Sequence, residues 1–391
     1  TTTTKDPVVS TKDPVVTTKD PVVSTKDPVV TPKDPVVDPV KPAVTVSAAL
    51  SADLMAKSSG RTKSSKTKMG TWFDKAVNVT ISDADKKFLA DATQNVPVPD
   101  NKKSEWSYKK FTAKLYPSAG LPHPADGAQA SLGDCNMLAF LNSFAYQHPS
   151  FLKSIIKDRG NGTYDIAMFD PKAQAITVSV DSNFIADKSG NLIVARGANN
   201  TAVWLTVMEK AIMKYNQVYK IWDGDGPAKV EGFGSEAGAP MLTGEGDSYS
   251  FDRGALAKSS DLTRVVKEAL KAGKLITGGF GQEMTMNGLK SVTGHAYTVM
   301  VPPNDSTMIA MRNPWGFSPK SDGGGDSSHD GILDIAFNDA WFKTIDLRVM
   351  EPGIAGGSGN TGPYQPRTSF QASGFTADDM EFLIEMHKGQ Y

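Results

Sequence analysis

Apolar residues are spread unevenly along this chain, and their spacing divides it into stretches of different character. Residues 5–37 repeat Lys-Asp-Pro-Val-Val every seven positions, starting at Lys5, Lys12, Lys19, Lys26 and Lys33. A proline in every repeat fixes φ and removes a backbone donor, which rules out helix and central strand. Each lysine is followed by an aspartate, so the stretch is nearly neutral. The pattern predicts an extended, polyproline-like, disordered stalk over residues 1–42 that acts as a spacer. Residues 43–100 are mixed and are expected to be a linker or pro-like region, with a basic, serine-rich run from Lys57 to Lys68. Within them, Ser82 to Ala92 predicts a short helix with Ser82 as N-cap and Asp85 three residues later. Residues 351–391 read as a linker followed by a short helix, Thr376 to His387, with Met380, Leu383 and Ile384 apolar.

Between these stretches, residues 101–350 carry globular periodicities. Leu132 to Tyr146 predicts a helix. So does Trp204 to Tyr215, where Trp204, Val207, Met208, Ala211, Ile212 and Tyr215 share one face. Leu262 to Ala272 is a third helix, closed by Gly273. Alternation predicts strands at Tyr164–Phe169 and Ile176–Val180, and later at Leu275–Gly279, Ala296–Val301, Met308–Arg312 and Ile332–Phe337. The glycine-rich stretch Gly224–Gly246 is expected to be loop. A helical half followed by a strand-rich half indicates an α+β fold with two lobes, 101–245 and 246–350, and a cleft between them.

Composition narrows the function. Forty-two Lys and Arg balance 43 Asp and Glu, which argues against general nucleic-acid binding. No run of about 20 apolar residues is present, so no membrane span is expected. The chain begins at Thr1, so any leader that preceded it cannot be read. Among 391 residues there is one cysteine, Cys135. This excludes an intrachain disulfide and a cysteine-rich metal site.

Cys135 stands at the predicted start of a helix, where free N–H groups and the helix dipole favour a thiolate. Of the five histidines, His123 and His148 precede prolines, His329 lies in a Gly/Ser/Asp stretch and His387 is near the end of the chain. His295 differs, because it opens the strand Ala296–Val301. A turn of Pro302, Pro303, Asn304, Asp305 and Ser306 follows, and the return strand ends at Asn313-Pro314-Trp315-Gly316. If the hairpin is centred on position 304, His295 and Asn313 face each other with Cβ atoms roughly 4.5–5.5 Å apart. Asn313 could then accept from one imidazole nitrogen and leave the other for the thiol.

A Cys/His/Asn set is the arrangement of cysteine proteases. The chain resembles the calpain-type core of that class. Gln129-Ala-Ser-Leu-Gly-Asp-Cys135-Asn-Met-Leu138 is similar to its nucleophile motif, Gly294-His295-Ala296-Tyr297 to its histidine motif, and Arg312-Asn313-Pro314-Trp315-Gly316 to its asparagine motif. Trp204 with Glu209-Lys210-Ala211 resembles the family helix, and Glu231-Gly232-Phe233 the loop after it. The resemblance implies a papain-like, two-lobed fold, with Cys135 on the helical first lobe and His295 and Asn313 on an antiparallel β second lobe. It implies cleavage of protein or peptide substrates through an acyl-enzyme, with no cofactor needed for the chemistry. Gln129 would supply an oxyanion donor, and Trp315 would shield the Asn–His bond. Calcium enters only as a regulator implied by the family, through Asp126 and Asp330. Asn199, Pro319 and Ile332 stand where the family has Glu, and Asn136 stands where it has Trp. Residues 351–391 are too short for the family's penta-EF-hand domain, so none is expected within them. The family inclines to an intracellular setting, with secretion left open. The alternative function is a catalytically silent calpain-derived binding protein displayed on the stalk.

Overall fold

Ladder pairing and two buried clusters position everything else in the molecule. The computed structural model describes residues 49–63, 73–117, 120–222, 226–256, 258–301, 309–325, 331–335 and 343–354, all within one unit, Asp38–Tyr391. The repeat stretch and the C-terminal helix expected from the sequence lie outside them. Helices and antiparallel sheets are mixed. Seven strands form the main sheet in the order Gly60–Lys63, Asp247–Phe251, Ile345–Glu351, Leu275–Phe280, Ala296–Met300, Ile309–Arg312, Ile332–Ile335. A second sheet joins Ile156–Asp158, Thr163–Phe169 and Ala175–Asp181.

The central strands read as continuous apolar runs because both of their faces are covered. Ala296 packs with Cys135 and Ala139 of the helix Cys135–Gln147, here called the cysteine helix. Tyr297 and Val299 belong instead to a core that includes Leu262, Val265, Val266, Ala269 and Leu270, from the helix Ser259–Lys271. A separate, larger core gathers Met137, Leu138, Phe140, Leu141 and Phe144 with Trp204, Met208, Ile212 and Tyr215 of the long helix Trp204–Tyr219.

The structure departs from the sequence expectations at three places. Residues 60–63, expected to be mobile linker, form an edge strand against Asp247–Phe251. Residues 73–100 are also part of the packed body: Phe73, Ala76, Leu89 and Val96 are core residues. The capped helix there is present as Asp83–Ala90, with Ser82 and Asp85 exchanging cap bonds. Its following turn is tied down by Lys214, which donates to the Asp91 carbonyl at 2.9 Å. Finally, the stretch expected to be loop contains a helix, Ser235–Thr243, despite Pro240 inside it. Pro240 removes one helical donor, and the composition hid the helix because Gly238 serves packing. A Cβ at Gly238 would lie 2.3–2.6 Å from the Phe140 ring, so only glycine lets the two helices approach so closely.

This contact gives a test of the packing. Gly→Ala in a helix interior ordinarily stabilises by about 0.5–1 kcal/mol. Gly238→Ala should instead destabilise by about 1–3 kcal/mol through overpacking, read as a lower urea midpoint at unchanged m-value. A midpoint equal to or above wild type would refute the close approach.

Candidate active site

The cysteine helix starts where Asp134 leaves helical geometry (φ −98°, ψ 30°), and Leu138 N–H donates to the Asp134 carbonyl at 3.1 Å to close its first turn. The same helix is bound to the main sheet by polar contacts. Thr298 Oγ1 donates to the Ala139 carbonyl at 2.9 Å, and Ile276 N–H donates to Ser143 Oγ at 2.9 Å. Cys135 is thereby buried at 2 % exposure beside Ala139 and Ala296. Burial pushes its thiol up to about 11; the Ala296, Asn136 and Cys135 amides favour the thiolate, and Asp134 opposes it. This corrects the expectation that the helix terminus ionises the sulfur. The amides act in the expected direction, but desolvation of a buried thiolate outweighs them.

His295 and Asn313 meet. His295 Nε2 and Asn313 Oδ1 are 2.8 Å apart, and Trp315 N–H donates to the same oxygen at 2.9 Å. Because Oδ1 accepts, Nε2 carries the proton and Nδ1 is the basic nitrogen. The Trp315 ring lies 4.6 Å from the imidazole centroid, and Tyr297 stands edge-on to it at 5.2 Å. Trp315 and Asn313 are both fully buried.

The route to this contact differs from the expected one. The ladder pairs Thr298 with Arg312, Val299 with Met311 and Met300 with Ala310. The hairpin is therefore centred on 305 rather than 304. Continued past its ends, that register puts Tyr297, not His295, opposite Asn313. The partner is displaced by two residues, which keeps His295 and Asn313 on one face of the sheet, whereas a shift of one would have separated them. Diagonal neighbours lie roughly 7–8 Å apart at Cα, within reach of an imidazole and an amide.

Gln129 is buried beside the same segment. Its backbone N–H donates to the Pro314 carbonyl at 2.8 Å, and Nε2 donates to the Leu132 carbonyl at 2.6 Å. Asp126 is used locally: its Oδ2 accepts from His123 N–H and from Trp204 Nε1, both at 2.9 Å. Asp330 lies outside the described residues. Among the described residues no three His, Cys, Asp or Glu side chains gather where they could hold a metal ion. One of the two acids expected to hold calcium is thus not described, and no chemical step is routed through a metal ion.

A cleft of about 160 Å³ opens beside His295 and Asn136, floored by Gly278 and Gly279 and edged by Arg253, Asp346 and Arg348. Sequence reading missed these three charged residues. Asp346 and Arg348 share the strand Ile345–Glu351, whereas Arg253 follows the neighbouring strand Asp247–Phe251, nearly one hundred positions earlier, so no local motif announces the three together. Arg253 Nε is 3.4 Å from Asp346 Oδ2, and Arg348 Nε is 3.5 Å from Glu236 Oε1.

The profile of calpain family cysteine proteases matches residues 84–329. The chain belongs to that family. Mouse calpain-9 is 24 % identical over 206 residues, spanning 49 % of this chain and 28 % of calpain-9. The chicken calpain-2 catalytic subunit is 25 % identical over 215 residues, 51 % of this chain and 29 % of that subunit. The human calpain-1 catalytic subunit is 27 % identical over 206 residues, 49 % and 27 %. This calpain-family chain thus covers under a third of the length of each of these relatives.

Asn313→Ala removes the acceptor of both the imidazole and the Trp315 amide. It should destabilise the protein by about 1–3 kcal/mol, the cost of orphaned buried donors. Replacement of the amide by an isosteric apolar group in Asn313→Leu should not restore the histidine tautomer, read from the imidazole nitrogen shifts in NMR. An unchanged Nε2-protonated signal in both variants would refute the assignment.

Proposed function

We propose that this chain is an active cysteine endopeptidase of papain-like, two-lobed build, with Cys135 on the lobe of residues 101–245 and His295 and Asn313 on that of 246–350. The observation that carries this reading is the buried Asn313 carbonyl oxygen, which accepts from His295 and from Trp315 N–H and so fixes one imidazole tautomer. His295 Nδ1 takes the thiol proton of Cys135. The resulting thiolate–imidazolium attraction offsets the burial that otherwise holds the thiol up near 11. The sulfur then adds to the scissile carbonyl carbon. The Cys135 backbone N–H and the second amide hydrogen of Gln129 Nε2 receive the oxyanion, the first being held by Leu132. Collapse breaks the C–N bond, and the imidazolium protonates the leaving amine. Water, deprotonated by His295, hydrolyses the thioester and returns the thiol. Substrate side chains beside the scissile bond meet the rim of Arg253, Asp346 and Arg348, so polar or charged residues fit there better than large apolar ones.

The experiment compares casein cleavage by wild type, Cys135→Ala and His295→Ala, each with added calcium and with chelator. Cleavage should fall by at least about 10³-fold in both variants, with melting temperatures within a few degrees of wild type. Equal cleavage by wild type and Cys135→Ala would sink the proteolytic reading and leave the silent, stalk-displayed binding protein, for which a buried protonated thiol is also suitable. Calcium as a regulator through Asp126 and Asp330 belongs to the same proposal. It is upheld if chelator abolishes wild-type cleavage and rejected if cleavage is unaffected.

A further inference from the structure

Next to the thiol lie two acids that the proposed chemistry does not use. Asp134, the N-cap of the cysteine helix, is 1 % exposed, and Glu209, in the second turn of the long helix, is 0 % exposed. Their carboxyl groups are within hydrogen-bonding reach of each other. Glu209 Oε2 accepts the Ala195 N–H at 2.6 Å. Beyond a weak interaction of the Asp134 carboxyl with its own backbone N–H, the other carboxyl oxygen of Glu209 and both of Asp134 receive no N–H or O–H from any other described group. Two bare carboxylates in contact, out of water, would repel each other and leave those oxygens unsatisfied. A single proton removes both problems, because a protonated carboxyl donates an O–H to its neighbour.

Among the described residues, no cation is a cause of the shifts at either carboxyl. The charged group acting on the pair from outside is Glu231, in the 3-10 segment Pro227–Gly232, and it repels. From the cysteine helix the pair faces the Cys135 thiol. Two lysines share the long helix with Glu209 but are committed elsewhere, Lys210 to Asp181 and Lys214 to the carbonyls of Asp91 and Ser179.

We propose that Asp134 and Glu209 hold one proton between them, and that this O–H···O bond is the clamp that fixes the Gly133–Cys135 turn to the long helix. Both are positioning residues. They touch no substrate, but Asp134 is bonded through the backbone to the residue carrying the sulfur. The Gly133 N–H donates to Glu231 Oε1 at 3.1 Å, so the turn is held by acids on two sides. Burial, the largest cause, pushes Asp134 up to about 7 and holds Glu209 well above the usual carboxylate range. The pair titrates as a unit. The sign follows: both groups bind protons more tightly folded than unfolded, so their stabilisation is complete below the unfolded carboxylate values. It is lost as pH rises through neutrality. A second ionisation would also set more negative charge beside Cys135 and push its thiol higher.

The clamp itself does not depend on proteolysis; only its effect on turnover rests on the reading in the preceding section. Two readouts test it without substrate. Infrared spectra of the wild-type protein at neutral pH should show a protonated-carboxyl C=O band, and that band should vanish in Asp134→Asn and in Glu209→Gln. Thermal melting supplies the second. The wild-type Tm should fall by roughly 5–10 °C between about pH 5 and pH 8. Asp134→Asn supplies a permanent N–H donor to Glu209 and should flatten that fall by half or more, whereas Asp134→Ala should melt lower throughout. Glu209→Gln is the mirror variant if Asp134→Asn does not fold. No protonated-carboxyl band in the wild-type protein at neutral pH would overturn the proposal whatever the variants do. So would a wild-type pH slope retained in both amide variants.

Discussion

The structure depends on how the cysteine helix is seated on the main sheet. That contact is made by hydrogen bonds as well as by apolar packing. Thr298 donates to the Ala139 carbonyl, and Ser143 accepts the Ile276 amide. Hydrogen bonds set a direction and a register, which apolar contact alone does not. A helix held only by Leu and Phe could slide by a fraction of a turn at small cost. Bonds to defined atoms on adjacent strands remove that freedom, and the sulfur at the start of the helix inherits the precision. His295 is one residue before the strand that carries Thr298, so the same strand positions both halves of the proposed pair. The Asn313-Pro314-Trp315 segment then serves three clients: it orients the imidazole, walls it with an indole, and accepts the backbone N–H of Gln129.

Residue type and short-range order made part of this legible in the sequence. Cys135 at a helix start, His295 at a strand start and Asn313 at the end of the return strand could all be assigned locally. The capping box at Ser82 could also be read directly, because both partners lie within one turn. What escaped was set by distant parts of the chain. The ladder is centred on 305 rather than 304, and the His–Asn contact survived because a two-residue displacement preserves the face. The edge strand at 60–63 sits in a basic, serine-rich run with no alternation of its own and exists because Asp247–Phe251 offers an open edge. The helix at 235–243 was hidden by Gly238, whose reason is the Phe140 ring nearly one hundred positions earlier.

Electrostatics shows the same division. The helix terminus does supply dipoles that favour a thiolate, as its position suggests. Position in the sequence gives no measure of burial, and burial decides the sign here: the thiol is pushed up, not down. Most of the stabilisation the nucleophile needs must then come from the imidazole. This is why the fixed tautomer of His295 matters more to the proposed chemistry than the helix start does.

Asp134 and Glu209 illustrate why a fold keeps an arrangement that looks unfavourable by itself. A leucine pair would fill the same space with no desolvation cost, and buried polar pairs are commonly matched or exceeded by apolar replacements in stability. An apolar pair, however, would not fix the direction of the turn at Gly133–Asp134, and the sulfur one residue later would share that looseness. A shared proton gives a short, directional link at the one place where the chain must switch from turn to helix within a residue of the nucleophile. The link has a further consequence for the chemistry. While the proton is held the pair carries one charge rather than two, which limits how much negative potential reaches Cys135, where Asp134 already opposes thiolate formation. The proton that holds the turn in place therefore also protects the ionisation on which the nucleophile depends.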